Sequence, residues 1–380
     1  MNPLRQQIEH EIRECGPIPF SRYMELCLYH PELGYYSRNA EQFGKAGDFY
    51  TSSDVHKVFG RLLARQFDEM RRALGSPEQI ELLELGPGRG LFAHDVLDWS
   101  ERRFPDFFRA MRYVLIESSS TLRGRIKETL GHYIESGKAE LAALYPLNEG
   151  SALNVPTIVF ANEFFDALPV EILSAKGSLR IDLRDNRFIE TWAQPSPEEL
   201  EFLDRYSIHP EPGERVEAPL AARHSMEQIA AGIRHGFLIA IDYGYTREEQ
   251  LAGRHRGTLK ALRQHSVSAN PYEAPGEQDI TADVNFTALA AAAEQHGMQT
   301  QKLVTQSQFL MGIGEANQFG DAFEECRLPQ ERAKVALQLK HLVTPAGMGE
   351  SFHVLIASKG VAQERVESLS GLSFGRRTAR

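Results

Sequence analysis

The chain has 380 residues, 42 of them Lys or Arg and 52 Asp or Glu, giving a formal net charge of −10. That length suits two structural units or one large α/β domain with insertions, and an apolar fraction of 42% supports a sizeable core. The acidic balance disfavours sequence-independent nucleic-acid binding, and the basic tail residues Arg376, Arg377 and Arg380 are too few to reverse it. Three cysteines (Cys15, Cys27 and Cys326) without CxxC spacing speak against a disulfide framework or a Cys-rich zinc site and fit a reducing compartment. No apolar run reaches the ~18–20 residues of a membrane span. Glu9, Glu11 and Glu14 suit neither a signal peptide nor a transit peptide. A soluble, cytoplasmic protein is expected.

Residues 1–75 are expected to form a helical, lid-bearing segment. Ile8 and Ile12, then Tyr23, Leu26 and Cys27, have helical spacing, and Gly16-Pro17 separates the two runs. In the polar loop 47–54, Asp48, Thr51 and Ser52 are of a kind that closes over a cofactor, or else forms a capping turn; Asp54 suits the N-cap of a helix through Val58, Leu62, Leu63 and Phe67. From residue 76 the rhythm is strand–turn–helix. Apolar runs at Ile80–Leu85, Tyr113–Ile116, Thr157–Ala161 and Phe237–Ile241 predict a mostly parallel sheet covered on both faces, hence an α/β fold. Residues 172–192 alternate around Asp185-Asn186 as a β-hairpin, and the Gly-, Pro-, Arg- and His-rich stretch 246–284 predicts a long functional loop. A helix through Phe286, Leu289 and Ala293, a strand near Leu303, a helix Gln330–Val343 and a strand Phe352–Ala357 follow. The core is thus assigned to 76–171, 236–245 and 285–359. Segments 172–235 and 246–284 are insertions building a substrate-side subdomain, and 360–380 is a flexible tail.

The sharpest local signal is Glu84-Leu85-Gly86-Pro87-Gly88-Arg89-Gly90. Glycines at a strand end let the backbone approach a ligand, and the next helix presents its N-terminal N–H groups. Leu91 occupies the third glycine position of a GxGxxG dinucleotide fingerprint, so the pattern is GxGxG behind an acid, the arrangement for S-adenosyl-L-methionine. Glu84 would attract that ligand's ammonium, the loop amides its carboxylate, and Glu117, ending the next strand, its ribose hydroxyls. The alternative is a glycine-rich turn with two incidental acids. Asn162-Glu163-Phe164-Phe165-Asp166-Ala167-Leu168-Pro169 leaves the third apolar run where a ligand at a parallel sheet's carboxyl edge would lie. Glu163 and Asp166 suit a guanidinium, which carboxylates hold in bidentate fashion. Asp166 would equally cap a short helix, with Phe164 and Phe165 in the core.

With Gly16-Pro17-Ile18, Gly34-Tyr35-Tyr36, Gly47-Asp48-Phe49, Thr51-Ser52, Asp242-Tyr243-Gly244, Asp279 to Val284 and Met348-Gly349-Glu350, these motifs resemble the MidA-type family of class I methyltransferases over residues 16–359. The family includes mitochondrial complex I assembly-factor enzymes. The resemblance implies a Rossmann-like methyltransferase sheet with a second region built from the N-terminal segment and the insertions. It implies S-adenosyl-L-methionine as cofactor, held by Glu84, Gly86, Pro87, Gly88, Gly90 and Glu117, and a reaction site at Asn162, Glu163 and Asp166. For the mitochondrial members it also implies arginine methylation in a protein substrate; this chain departs from their loop in having Asn162 where His is usual. Asp242 and Tyr243 end the fourth strand and should face the site, though Tyr243 would also serve as rim packing; Asp279 and Asp283 are expected as turn and cap residues. His235, His255, His265 and His341 show no metal-ligand spacing, so no metal is expected. A small-molecule methyltransferase and a non-catalytic cofactor-binding assembly factor are the alternative functions.

Overall fold

The computed structural model describes residues 2–38, 57–143, 155–263, 266–268 and 270–374. In it β1 (Ile80–Leu85) is buried at every position, as a strand covered on both faces must be. It pairs in parallel with β2 (Met111–Ile116), which pairs in parallel with β3 (Ala139–Ala142). On its other side β1 pairs in parallel with β4 (Thr157–Asn162), and β4 with β5 (Gly236–Tyr245). β6 (Gln299–Thr300) and β7 (Phe352–Lys359) complete the order β3-β2-β1-β4-β5-β7-β6, with β7 antiparallel to both of its neighbours. The strand order reverses between β1 and β4, and such a reversal opens a crevice at the carboxyl ends of the two strands.

The chain divides into two compact units. One comprises Met1–Phe49, Phe164–Met226 and Gly244–Ala292; the other comprises Tyr50–Glu163, Glu227–Tyr243 and Ala293–Arg380 and carries most of the parallel sheet. In the sheet-bearing unit, helix Lys57–Ala73 and the glycine-loop helix Leu91–Arg103 are anchored by aromatic packing. Phe92 stacks on Phe160 of β4 with ring centroids 4.5 Å apart, and Phe67 meets both rings edge-on. This fixes the start of Leu91–Arg103 relative to β4. At the other end of that helix, Trp99 Nε1 donates to Asp321 at 3.0 Å.

The other unit has its own apolar core. Helices Pro3–Cys15 and Phe20–Tyr29 pack Ile8, Ile12, Phe20 and Tyr23 with Ile172, Leu179, Ile181 and Ile280. The expected hairpin is present: Gly177–Arg184 pairs antiparallel with Arg187–Ala193, and Asp185 and Asn186 at its tip have φ of +49° and +57°. Two residues at positive φ are what a type I′ turn requires, matching the right-handed twist of the strands.

Two expectations are corrected. The stretch 246–284 is not one loop. It holds helix Arg247–Leu251, opened by a Thr246/Glu249 capping box, and a three-stranded sheet of Lys260–Arg263, Ser266–Ser268 and Asp279–Thr281. Strands of three or four residues are too short for alternation to register. Residues 361–374, expected in a flexible tail, are packed: Val366 and Leu369 are buried, and the Gly371 N–H donates to Gln66 Oε1 at 2.9 Å. Residues 375–380 lie outside the described residues.

Candidate active site

The glycine loop makes its turn with three left-handed residues: Gly86, Gly88 and Gly90 have φ of +62°, +55° and +75°. Side chains are strained in that region, so the glycines are required by the backbone itself. The Gly86 N–H donates to Ile116 O at 3.1 Å, tying the end of β1 to β2. The Gly90 N–H closes a tight turn on Pro87 O at 2.9 Å, and Gly90 then starts Leu91–Arg103 without a side-chain cap. A Cβ on Gly90 would also meet Ile126 and Leu130 at 3.4 Å, so the helix is drawn close against Ser120–Glu135. First-turn amides without a capping side chain remain available to an anion.

Two acids flank this turn. Glu84, penultimate in β1, is 5% exposed and accepts the Tyr113 hydroxyl at 2.8 Å. Burial pushes its carboxyl up to about 8; the Tyr113 hydrogen bond opposes that rise, and the Glu117 charge adds to it. Glu117 follows β2, is 7% exposed and is pushed up to about 7 by burial, against the pull of the Ser119 N–H, Arg123 and the Ser118 N–H. Its Oε1 accepts the Ser119 N–H at 2.8 Å, and Ser119 itself caps helix Ser120–Glu135. Tyr113 was not singled out from sequence. Its signal was a tyrosine beside the apolar run Val114–Ile116, where a buried hydroxyl must find a partner.

At the end of β4, Asn162 Nδ2 donates to Glu163 Oε1 at 3.1 Å, which orients both side chains. That bond to a carboxylate fixes the amide's orientation, and Asn162 Oδ1 is buried without a hydrogen-bond partner among the described residues. Glu163 adopts φ +51°, a conformation uncommon outside glycine, with its N–H tied to Ile241 O at 2.9 Å. On β5, Asp242 is fully buried and accepts the Tyr243 N–H at 3.0 Å, while Tyr243 packs edge-on against Phe352 with ring centroids 5.6 Å apart.

Glu84, Gly86, Pro87, Gly88, Gly90, Glu117, Asn162 and Glu163 therefore share the carboxyl edge of β1, β2 and β4 in one unit. Asp166 belongs to the other unit, where it is buried and its carbonyl accepts the Ala282 N–H at 3.0 Å. The residues after it form only a turn, closed by Leu168 N–H on Phe165 O at 3.3 Å, so the capping alternative has no helix to cap. Asp279 accepts the Tyr36 hydroxyl at 3.0 Å, and Asp283 pairs with His255 and Lys260, each at 3.0 Å, so neither is simply a turn residue. Asp48, Thr51, Ser52 and Asp54 lie outside the described residues.

The site's donors and acceptors fit S-adenosylmethionine. Two buried carboxyls at a strand-order reversal are completed by a cationic ligand, and the glycine-loop helix supplies amide donors for a carboxylate. No described helix is long and apolar enough to cross a membrane.

Comparison with known proteins places the chain. It is 29% identical to the Drosophila melanogaster protein named Protein arginine methyltransferase NDUFAF7 homolog, mitochondrial, over 98% of this chain and 88% of that one. It is 26% identical to the human Protein arginine methyltransferase NDUFAF7, mitochondrial, over 93% and 82%. A crystal structure of a COG1565 superfamily member from Burkholderia thailandensis, bound to S-adenosyl-homocysteine, superposes with a TM-score of 0.83 at 27% identity, covering 97% of this chain and 94% of that one. The cytoplasmic expectation is overturned, because the curated relatives are named as mitochondrial. A low cysteine count speaks to redox conditions and does not separate one reducing compartment from another. The S-adenosyl-L-methionine-dependent methyltransferase family matches residues 62–304, more than half of the sequence, and the chain belongs to that family.

Proposed function

We propose that this methyltransferase transfers methyl groups from S-adenosylmethionine to an arginine side chain of a protein substrate. The relatives named protein arginine methyltransferases align over nearly the whole chain, and the pairing of Glu163 with Asn162 supplies the polar groups such an acceptor needs. Glu84, Gly86, Pro87, Gly88, Gly90 and Glu117 hold the cofactor in this reading. When bound, it supplies an electrophilic methyl group on a sulfonium. The chain's task is then positioning and charge control.

Guanidinium is a poor nucleophile because its lone pairs are delocalised. A carboxylate held against one edge concentrates positive charge there and leaves another nitrogen richer in electrons. Glu163 is suited to this. Its left-handed backbone and the Asn162 amide fix the carboxylate's direction, and such conformations persist where the surrounding structure demands them. Asn162 Oδ1, buried and without a partner among the described residues, would accept a guanidinium N–H. In this reading Glu163 and Asn162 would hold the guanidinium so that one of its nitrogens faces the methyl group the cofactor would supply. The alkylated nitrogen sheds one proton, which Glu163 is placed to take.

The observation that carries the reading is the Asn162–Glu163 pair at the end of β4, beside the strand-order reversal. The test is incubation of purified protein with methyl-labelled S-adenosylmethionine and an extract from cells lacking it, followed by amino-acid analysis of the hydrolysed protein fraction. Labelled methylarginine is expected. Label only in small molecules, or none anywhere, would refute it.

A further inference from the structure

Glu84 and Tyr113 both belong to the sheet-bearing unit, and the register of two strands brings them together. In the β1–β2 pair Leu82 stands opposite Tyr113 and Glu84 opposite Leu115. Residues two apart in a strand leave the same face, so these four side chains share one. Leu82, Tyr113 and Leu115 lie in the apolar core, as does Phe160, which stands opposite Glu84 on β4. Glu84 is thus a carboxyl set among apolar neighbours. Tyr113, 0% exposed, is the residue that reaches it, with its hydroxyl donating to Oε2 at 2.8 Å. A phenylalanine would fill the space of the ring without bringing a polar atom into the core, so the hydroxyl is accounted for by its bond.

The groups acting on Glu84 pull in opposite directions. Burial favours the neutral acid, the charge of Glu117 at the end of β2 pushes the same way, and the Tyr113 hydrogen bond opposes both. The Tyr113 proton is itself held firmly: burial first, then the Glu84 charge and hydrogen bond, keep the hydroxyl well above its usual range. Tyr113 therefore remains protonated while Glu84 titrates. A hydroxyl also carries lone pairs, so when Glu84 is protonated the same contact persists with the acid donating to the Tyr113 oxygen. The contact is kept in both states, but it favours the carboxylate, because a hydrogen bond to an ionised acceptor is roughly twice as strong as a neutral one.

We propose that Tyr113 is a positioning residue of the cofactor site: by donating to one oxygen of Glu84 it fixes the rotation of the carboxylate and sets the pH above which the site takes a ligand's ammonium. This rests on the reading that Glu84 faces that ammonium, and deepens it. Tyr113 touches no ligand in this role and acts through Glu84. The carboxylate accepts the Tyr113 hydroxyl before and after the ligand arrives. The effect therefore falls on the ionised fraction of the ligand-free protein and not on the contact between the ionised site and its ligand.

The test is Tyr113→Phe, which keeps the ring and loses the hydroxyl. The probe is S-adenosyl-homocysteine, which carries the same ammonium and withstands alkaline pH, with Kd measured by calorimetry from pH 6.5 to 9. Loss of the donor should raise the Glu84 midpoint by about one unit, a factor of ~10 in the ionised fraction at low pH. Binding should then be weaker by about tenfold at pH 6.5 and by only about twofold at pH 9, and proton release at pH 8 should increase by about 0.4 per ligand. A side chain that merely packs would weaken binding by the same factor at every pH; that result, or an unchanged Kd, overturns the proposal. Should the Phe variant fold poorly, 3-fluorotyrosine placed at position 113, a more acidic and hence better donor, should move the midpoint down, and no downward shift overturns the proposal equally. Glu84→Gln separates this proposal from the reading beneath it. If that variant keeps the wild-type affinity and pH profile, the assignment of Glu84 to the ammonium is lost and the role of Tyr113 with it. If it flattens the profile while Tyr113→Phe leaves the midpoint in place, only the role of Tyr113 is lost.

Discussion

Cofactor binding should be linked to proton release, and the linkage follows from where Glu84 sits. Its carboxyl is pushed up to about 8 by burial, with Glu117 adding to the rise, so below that pH the ligand-free site holds a proton. A ligand bearing an ammonium favours the ionised form, so binding expels that proton. At pH 6, about two units below 8, expulsion costs about 2.7 kcal/mol, a factor of ~100 in affinity. At pH 7.5 the cost is much smaller, so Kd should tighten roughly 20-fold over that interval from Glu84 alone. Glu117, pushed up to about 7, adds to the trend in the same direction. The gain should stop near pH 8, where an α-amino group of pKa about 8 begins to lose its charge. Calorimetry in two buffers of different ionisation enthalpy counts the protons, and close to one or more per ligand is expected at pH 6.5. The control is Glu84→Gln, which has no proton to lose and should bind with a flatter pH profile. A wild-type Kd constant from pH 6 to 7.5 with no proton release would refute the linkage.

The same two carboxyls act on folding with the opposite trend. Both are raised above the unfolded value, so their contribution is fully present below about pH 4.5 and is lost as pH rises through about 7 to 8. It is on the order of several kcal/mol at most, and the melting temperature of the ligand-free protein should fall across that window while saturating cofactor flattens the fall. Glu117→Ala should weaken S-adenosylmethionine binding at least ~10-fold, since a hydrogen bond to a charged group is worth roughly 1.5–3 kcal/mol; Gly88→Val, forced to φ +55°, should be worse, both by calorimetry. Asp321→Ala strips partners from Trp99, Arg65 and Asn317 and should cost about 3 kcal/mol in urea unfolding without changing cofactor Kd after correction for folded fraction. Glu163→Gln should lower methyl transfer by at least ~10²-fold, about 2.7 kcal/mol on the barrier, with cofactor affinity within a few-fold; a fully active, stably folded variant would remove Glu163 from the mechanism.

How much of this was legible in the sequence depends on the length scale of each signal. β1, β2, β4 and β5 announce themselves because a strand buried on both faces is a run of apolar residues, and Glu84 and Glu117 stand out as acids at the ends of such runs. The Asp185-Asn186 tip was legible because its chemistry is local: two adjacent residues tolerate positive φ, and the flanking alternation gives the register. The three short strands between residues 260 and 281 were not, because each is too short to show a period and their pairing is decided by distant partners. Among the described residues there is no group of three or more His, Cys, Asp or Glu that could hold a metal ion.

The candidate site shows the same division more sharply. The glycines were legible because positive φ is a property of one residue, and three of them at a strand end mark a tight turn open to a ligand. Which side chains meet was not. Tyr113 lies 29 positions from Glu84, and Tyr36 lies 243 positions from Asp279; each pair exists only once the sheet or the second unit has folded. Buried polar groups are hydrogen-bonded as a rule, so a tyrosine or an aspartate in an apolar run predicts that a partner exists without saying which one. By that rule Asp279 differs from the turn residue its local sequence suggested. A turn aspartate would sit at the surface with its carboxylate on nearby amides. Asp279 is instead 2% exposed, within a strand, with a tyrosine hydroxyl on its carboxylate. Desolvating a carboxylate to make a turn gains nothing that an exposed aspartate would not give. The Tyr36 hydroxyl is one of the partners that such burial demands, and it comes from a segment 243 positions away.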